Sequence, residues 1–356
     1  MKQEAVTFRR SQIILPSSEE PHIPEKNSTE SSQNPFFKKL LSTIAHQIKF
    51  GKNFYTHIVQ RFATIFTEKY GVDRTSRPVS SEFEPRKLSA KEPSSFLKSG
   101  SFLLSFTKKA SVNPLNMTKV TSAPMDCQVS VKTAAEEIKE FRKILILLLT
   151  ELVKNLPNFS DVQWTATNSR LLLETVNDIL FGNEQLYNSM MKLIGSALGE
   201  KQEDFMKQKI YTKNMTTEEY QIHPNFCMEG EPHPYLSAVE VMNMLGQHFT
   251  PEDKFKTVCA TKMEVIKAVD RYWDIKDPNK PNSELIISAD ELLPIYTYIV
   301  SKTSGGKLLC EMYFIEEFLD QHTLYFSENS YFFATVSAAT SFILTLSKAK
   351  GMKICE

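Results

Sequence analysis

Residues 288–300, which read SADELLPIYTYIV, place two acidic side chains and a proline at what looks like a helix start. Ser288 and Glu291 fit the S-x-x-E capping box, in which each side chain accepts a hydrogen bond from the other residue's backbone N–H. Asp290 would then lie in the first turn, where the helix macrodipole stabilises a negative charge by roughly 0.3–1 kcal/mol. Local helix chemistry is therefore a sufficient explanation of these acids.

Pro294 does not fit that explanation. It follows Ser288 by six positions and removes the hydrogen bond that would run to the carbonyl oxygen of Asp290. A proline inside a helix costs about 3 kcal/mol or more. A helix with good capping residues that nevertheless accepts this penalty indicates a functional distortion of its first turn. Such a distortion would set the orientation of Asp290.

Other patterns that could support chemistry are weak or missing from the sequence. His223, Cys227 and His233 are possible metal ligands, but their spacing matches no common zinc module. The eleven glycines are too widely spaced for a phosphate-binding loop, and neither HExxH nor GxSxG occurs. We therefore expect neither a metal site nor a cofactor.

The composition narrows the class of protein. The chain has 356 residues, of which 41% are apolar, and a formal net charge of zero. Residues 1–125 nevertheless carry 19 Lys and Arg against 10 Asp and Glu, and the remainder carries the compensating negative charge. The acidic remainder and the lack of a recognisable nucleic-acid module argue against nucleic acid as a partner. Five scattered cysteines are typical of reduced thiols, and no apolar run is long enough to span a membrane.

From about residue 130 the chain shows one helix signal after another, with few glycines and no alternating strand pattern, so the predicted fold is all-α. A polar segment at 201–236 separates the third and fourth of these helices. Further helices are predicted at 288–302, 309–319 and 331–347. The predicted N-terminal caps of the earlier helices are Thr133 (with Glu136), Ser160, Asn183 and Thr250.

The first 129 residues have a different character. Residues 1–34 and 70–129 are rich in Ser, Pro and charged residues, a composition typical of disorder. Between them, residues 35–69 contain two basic amphipathic stretches. These are either a helical hairpin that packs on the main domain or on itself, or an element that lies on an anionic membrane.

Three motifs, in order along the chain, resemble those of a known family. They are SADELLPIYTYIV, then MYFIEEFLD at 312–320, then SENSYFFATVSAATSFI at 327–343, with a further match at 237–258. Together they resemble the vacuolar-protein-sorting-nine domain, whose members are guanine-nucleotide exchange factors for endosomal small GTPases of the Rab-five subfamily. The resemblance implies a layered helical exchange domain at 231–350, after a helical bundle at 130–230 and a mostly disordered basic region at 1–129.

The resemblance also implies roles for individual residues. Asp290 matches the family's acidic finger, which enters the GTPase nucleotide site and competes with magnesium and the β-phosphate for the phosphate-loop lysine. Tyr331 matches the tyrosine that supports the finger, and Pro294 matches the family proline. Ala334 stands where the family has a threonine that contacts the GTPase, with Thr335 one place later. SENSYF also stands where the family has the glycine-containing GExGYY.

The function implied by the resemblance is nucleotide exchange, which makes and breaks no covalent bond. The implied partners are a Rab-five-type GTPase in its GDP-bound and nucleotide-free forms and, through residues 35–69, an anionic membrane surface. The implied location is cytoplasmic, at the periphery of early endosomes. Two alternatives stay open: an adaptor that binds the GTPase without ejecting nucleotide, and a helical scaffold in which Asp290 is only a helix-start charge.

Overall fold

The computed structural model of the protein describes residues 35–71, 127–156, 164–304, 306–327 and 329–350, all within one compact unit. Twelve α-helices and three short 3₁₀ helices contain most of these residues, and none of the described residues forms a β-strand. The all-α prediction is confirmed. None of these helices is long and apolar enough to cross a lipid bilayer.

The helices follow the chain in a simple order. The first six are α1 (Pro35–Phe50), α2 (Phe54–Tyr70), α3 (Cys127–Lys154), α4 (Ala166–Phe181), α5 (Glu184–Ala197) and α6 (Gly199–Thr212). The last six are α7 (Leu236–Asn243), α8 (Pro251–Lys276), α9 (Ala289–Lys302), α10 (Leu308–Phe318), α11 (Gln321–Phe326) and α12 (Ser330–Lys350).

Two of the predicted caps are confirmed. The side chain of Asn183 accepts a hydrogen bond from the backbone N–H of Leu186 at the start of α5. The side chain of Thr250 accepts one from the N–H of Asp253 at the start of α8, with proline at the first helical position. Both starts depend on contacts within one turn, which is why the sequence predicts them.

Two other predicted starts are wrong. Helix α3 begins at Cys127, so Thr133 lies inside it, because Val131 already belongs to the buried face of the same helix. Helix α4 begins with Thr165 as its cap, and Ser160 lies outside the described residues. Packing extends α3 past Thr133, whereas at α4 a second hydroxyl residue, Thr165, provides the cap.

The polar segment at 201–236 contains most of a helix that the sequence analysis missed. The residues of α6 that are buried are Phe205, Lys209 and Thr212, at helical spacing but with a single apolar member. Such a face lacks the periodic apolar residues by which a sequence indicates an amphipathic helix.

The described helices enclose two hydrophobic cores, and α10 contributes to both. The bundle core is formed by α1–α5, and the domain core by α7, α8, α9 and α12 with Phe205 of α6. One face of α10 enters the bundle core with Cys310, Phe314 and Phe318. The other face enters the domain core with Leu308, Met312 and Ile315. Because α10 packs against both cores, this helix forms the boundary between them.

Residues 35–69 form a helical hairpin whose apolar faces are buried in the bundle core, with Phe37, Leu41, Val59 and Phe66 all at most 4% exposed. These faces pack on α3, α4 and α5, so a protein core covers most of the apolar residues that could lie on a membrane. Phe50, Phe54 and Ile65 remain exposed.

Buried polar contacts also join the two cores. Lys254 of α8 is fully buried, lies 2.5 Å from Glu311 of α10 and donates a hydrogen bond to the carbonyl of Leu245 at 2.9 Å. Its ammonium group also lies 5.3 Å from the centre of the Tyr187 ring on α5. Removing one member of a buried ion pair commonly costs 3–5 kcal/mol, so this contact constrains how α5, α8 and α10 meet.

A second contact lies where α4 meets the start of α8. Asn177 Nδ2 donates a hydrogen bond to Glu252 Oε1 at 2.5 Å, and burial raises the pKa of Glu252 to about 7. Arg142 of α3 donates to the carbonyl of Phe318, the last residue of α10, at 2.8 Å. The bundle therefore contacts both α8 and α10 through directional bonds.

We predict that both cores unfold in one cooperative transition, and the two tryptophans of the chain report on it separately. Trp164 packs on Phe37 beside the bundle core, with ring centroids 6.0 Å apart, and Trp273 lies in the domain core. In Trp164→Phe and Trp273→Phe, the remaining fluorescence should give the same urea midpoint as the far-ultraviolet circular dichroism of that variant. Fluorescence and dichroism midpoints that differ within either variant would show that the cores unfold independently.

Candidate functional site

The start of α9 uses one of its two acids for capping and leaves the other exposed. Glu291 accepts a hydrogen bond from the N–H of Ser288 at 2.6 Å, and Ser288 Oγ accepts one from the N–H of Glu291 at 3.4 Å. This confirms the capping box. Asp290 is exposed, and its carboxylate makes no hydrogen bond or ion pair with any residue that the structure describes. Asp290 is therefore the acid available to a partner molecule.

Helix α9 continues through Pro294 to Lys302. Since proline has no N–H, the carbonyl of Asp290 lacks its usual helical donor, and the irregularity falls in the turn that carries the exposed acid. Tertiary packing offsets this cost. Leu292, Ile295 and Ile299 are completely buried in the domain core.

The rest of α9 is held firmly. Residues 295–301 are all buried. The Tyr296 hydroxyl lies 3.0 Å from Thr261 Oγ1 of α8, and the Tyr298 ring meets that of Tyr220 edge-on at 5.7 Å. Asp290 is thus an exposed carboxylate on the first turn of an otherwise buried helix, which limits where it can move.

Tyr331 supports that first turn from α12. It is the second residue of the helix, its ring is partly buried against the domain core, and its hydroxyl donates to the carbonyl of Ala289 at 3.3 Å. Ala289 immediately precedes Asp290. The structure therefore brings Asp290 and Tyr331 to one place.

The turn before α12 contains no glycine and is held by other contacts. The N–H and hydroxyl of Ser330 both donate to the carbonyl of Ser327, at 3.0 and 2.6 Å, and Cys259 Sγ donates to the carbonyl of Asn329 at 3.6 Å. None of the described residues in this turn has a positive φ. The Ser330 side chain thus helps to stabilise the turn that places Tyr331 at the helix start.

Ala334 and Thr335, two neighbouring residues of α12, differ in how exposed their side chains are. Ala334 is exposed and lies one turn after Tyr331. Thr335 is only 6% exposed, and its hydroxyl donates to the carbonyl of Tyr331 at 2.9 Å. The structure therefore leaves Thr335 inside the helix packing and places only Ala334 on the surface beside the site.

The possible metal ligands of the sequence have local structural contacts. His223 Nδ1 accepts a hydrogen bond from the N–H of Asn225 at 3.3 Å, and Cys227 is buried with its thiol donating to the carbonyl of Ile222. Across the described ranges there is no group of three or more His, Cys, Asp or Glu side chains arranged to hold a metal ion.

The helices that carry this site match a known family. Residues 235–348 fit the family model of the Vacuolar sorting protein 9 (VPS9) domain. This segment is a VPS9 domain. It contains Asp290, Pro294 and Tyr331, whereas helices α1–α6 precede it.

Curated proteins similar to the chain include Alsin from Homo sapiens, Pan troglodytes and Rattus norvegicus, each 28% identical over 104 residues. These residues make up 29% of this chain but only 6% of each Alsin. The similarity therefore concerns one domain of a much longer protein.

We predict that Tyr331→Phe loosens the first turn of α9 without unfolding the VPS9 domain. The ring contacts remain, and only the hydrogen bond to Ala289 is lost, so the free energy of unfolding should fall by about 1 kcal/mol or less. Hydrogen exchange of the amides in residues 289–293 should become faster. Tyr325→Phe, at an exposed position on α11, is the matched control. Equal exchange rates in Tyr331→Phe and the control would show that the hydroxyl does not support this turn.

Proposed function

We propose that the protein is a guanine-nucleotide exchange factor for an endosomal small GTPase of the Rab-five subfamily, with Asp290 as its acidic finger. The proposal rests above all on one observation. Within a VPS9 domain, a domain type associated with such exchange, an exposed carboxylate without a partner among the described residues projects from a buried helix. It also lies in the first turn of α9, at the end of the helix where the macrodipole stabilises a negative charge.

The proposed mechanism is an exchange of charge partners. In the GDP-bound GTPase, the phosphate-loop lysine and magnesium neutralise the phosphates. A carboxylate accepts charge-assisted hydrogen bonds much as a phosphate oxygen does, so Asp290 can take over the lysine as the nucleotide leaves. The nucleotide-free intermediate then costs less free energy, and no covalent bond changes.

The neighbouring residues have supporting roles in this proposal. Tyr331 holds the turn before Asp290, and Pro294 keeps that turn from forming a regular helical hydrogen bond. Ala334 offers a small apolar contact to the GTPase switch regions beside Tyr331. Thr335 acts indirectly, because its hydroxyl is committed to the backbone of α12.

A second candidate function is a GTPase-binding adaptor without exchange activity. One observation favours it: Ala334 has no hydroxyl, and the adjacent Thr335 hydroxyl points into the helix instead of outward. If exchange needs a surface hydroxyl at this place, the chain binds the GDP-bound and the nucleotide-free GTPase with similar affinity and does not accelerate nucleotide release.

The cellular location follows from the proposed partner. Rab-five-type GTPases act at the cytoplasmic face of early endosomes, so we place the protein there as a peripheral component. Since the bundle core covers most apolar residues of 35–69, the GTPase itself is the proposed means of recruitment.

We predict that Asp290→Ala removes most of the exchange activity while leaving the fold intact. The experiment follows release of a fluorescent GDP from a panel of purified endosomal Rab GTPases in the presence of the full chain. Loss of one charge-assisted interaction should slow the accelerated release tenfold to hundredfold. The free energy of unfolding should change by no more than about 0.5 kcal/mol, because the side chain is exposed. Asp274→Ala, another exposed aspartate in the VPS9 domain, should match the wild type.

The other outcomes separate the candidates. Full acceleration by Asp290→Ala would refute the acidic finger. Binding to a GTPase without acceleration by the wild type would favour the adaptor. Absence of binding across the panel would leave the helical scaffold.

A further inference from the structure

Helix α6 precedes the VPS9 domain in the chain but packs on both helices that carry the proposed site, α9 and α12. We propose that Lys209 of α6 is a positioning residue for nucleotide exchange, which anchors the carboxyl end of α9 and thereby fixes Asp290 at its other end. This inference rests on the proposed function.

The anchor is a buried ammonium group at a helix end. Lys209 is 6% exposed, and its Nζ donates hydrogen bonds to the carbonyl oxygen of Thr303 and, at 2.9 Å, to Thr303 Oγ1. Thr303 is the C-terminal cap of α9. The last carbonyls of a helix lack intrahelical donors and carry partial negative charge, so a cation is well placed here.

Further hydrogen bonds fix the end of α9 and the segment that follows it. Gln202 of α6 donates to the carbonyl of Gly306, and Lys302 donates to backbone carbonyls in the turn after α6. From the other side, Asn243 of α7 accepts a hydrogen bond from the N–H of Ser304 at 2.8 Å. The residues after α9 are therefore tied to both α6 and α7.

Helix α6 is itself fixed within the domain core. Phe205, one turn before Lys209, is completely buried there. Movement of Lys209 relative to the VPS9 domain would therefore require repacking of Phe205. The anchor is part of the domain core, although it lies outside the residues that match the family model.

The anchor affects exchange because the proposed role of Asp290 depends on the exact position of its carboxylate. A 14-residue helix is about 21 Å long and transmits an axial shift from one end to the other. A misplacement of about 1 Å at a reacting centre can lower a rate by about a hundredfold. Burial also lowers the pKa of Lys209 to about 8, so the charged form is costly here and its hydrogen bonds to Thr303 must offset that cost.

The test compares Lys209→Met with the wild-type full chain. Methionine keeps most of the apolar stem and removes the ammonium group. We expect the maximal release rate at saturating exchange factor to fall about tenfold, with little change in the half-saturating concentration, because the GTPase contact surface is intact. Hydrogen exchange of residues 289–304 should also become faster. Lys207→Met, on the exposed side of α6, is the control and should match the wild type in both measurements.

Gln202→Ala provides a milder second variant in case Lys209→Met does not fold. It removes the bond to Gly306 and should lower the maximal rate severalfold. A wild-type rate in folded Lys209→Met, or in Gln202→Ala if the former does not fold, would overturn the inference. If the wild type accelerates no GTPase, the proposed function fails. The hydrogen-exchange comparison then decides on the anchor alone, and unchanged exchange in residues 289–304 would overturn it.

Discussion

Helix α10 is apolar on two sides, and the rest of the structure depends on that constraint. Phe314 and Phe318 complete the bundle core, while Met312 and Ile315 complete the domain core. Between these faces, Glu311 makes the buried ion pair with Lys254. A VPS9 domain separated from the bundle would expose one apolar face of α10 directly after the segment that anchors α9. The bundle is therefore a structural requirement of the proposed site.

The site itself combines a rigid support with an exposed charge, Asp290, that has no partner among the residues that the structure describes. Packing buries the later turns of α9, whereas the first turn carries an exposed acid, an irregularity at Pro294 and a lateral hydrogen bond from Tyr331. In such an arrangement the carboxylate does not need to reorganise before it meets a cationic partner. Preorganised charge is the most effective way for a protein to stabilise an otherwise unfavourable charged intermediate.

The sequence predicted those features that depend on contacts within one or two turns. These include the capping box at Ser288 and the caps at Asn183 and Thr250. The sequence did not predict the features that depend on tertiary packing. The buried face of α6 has one apolar residue, and only its neighbours make it a helix of the core. Likewise, residues 35–69 have an amphipathic pattern that suits a membrane or a protein core equally well, and the structure shows the core. The direction of the Thr335 hydroxyl could not be read from its position in the motif.

The central claim is that the Asp290 carboxylate substitutes for phosphate charge, and an equilibrium measurement tests it most directly. Coupling between two ligands is reciprocal, so a factor that weakens GDP binding must itself bind the nucleotide-free GTPase more tightly than the GDP-bound form. The wild type should show a ratio of about 100 between these affinities. In Asp290→Ala the affinity for the nucleotide-free form should fall until little of the ratio remains, with the GDP-bound affinity almost unchanged. The same ratio in both proteins would contradict the account.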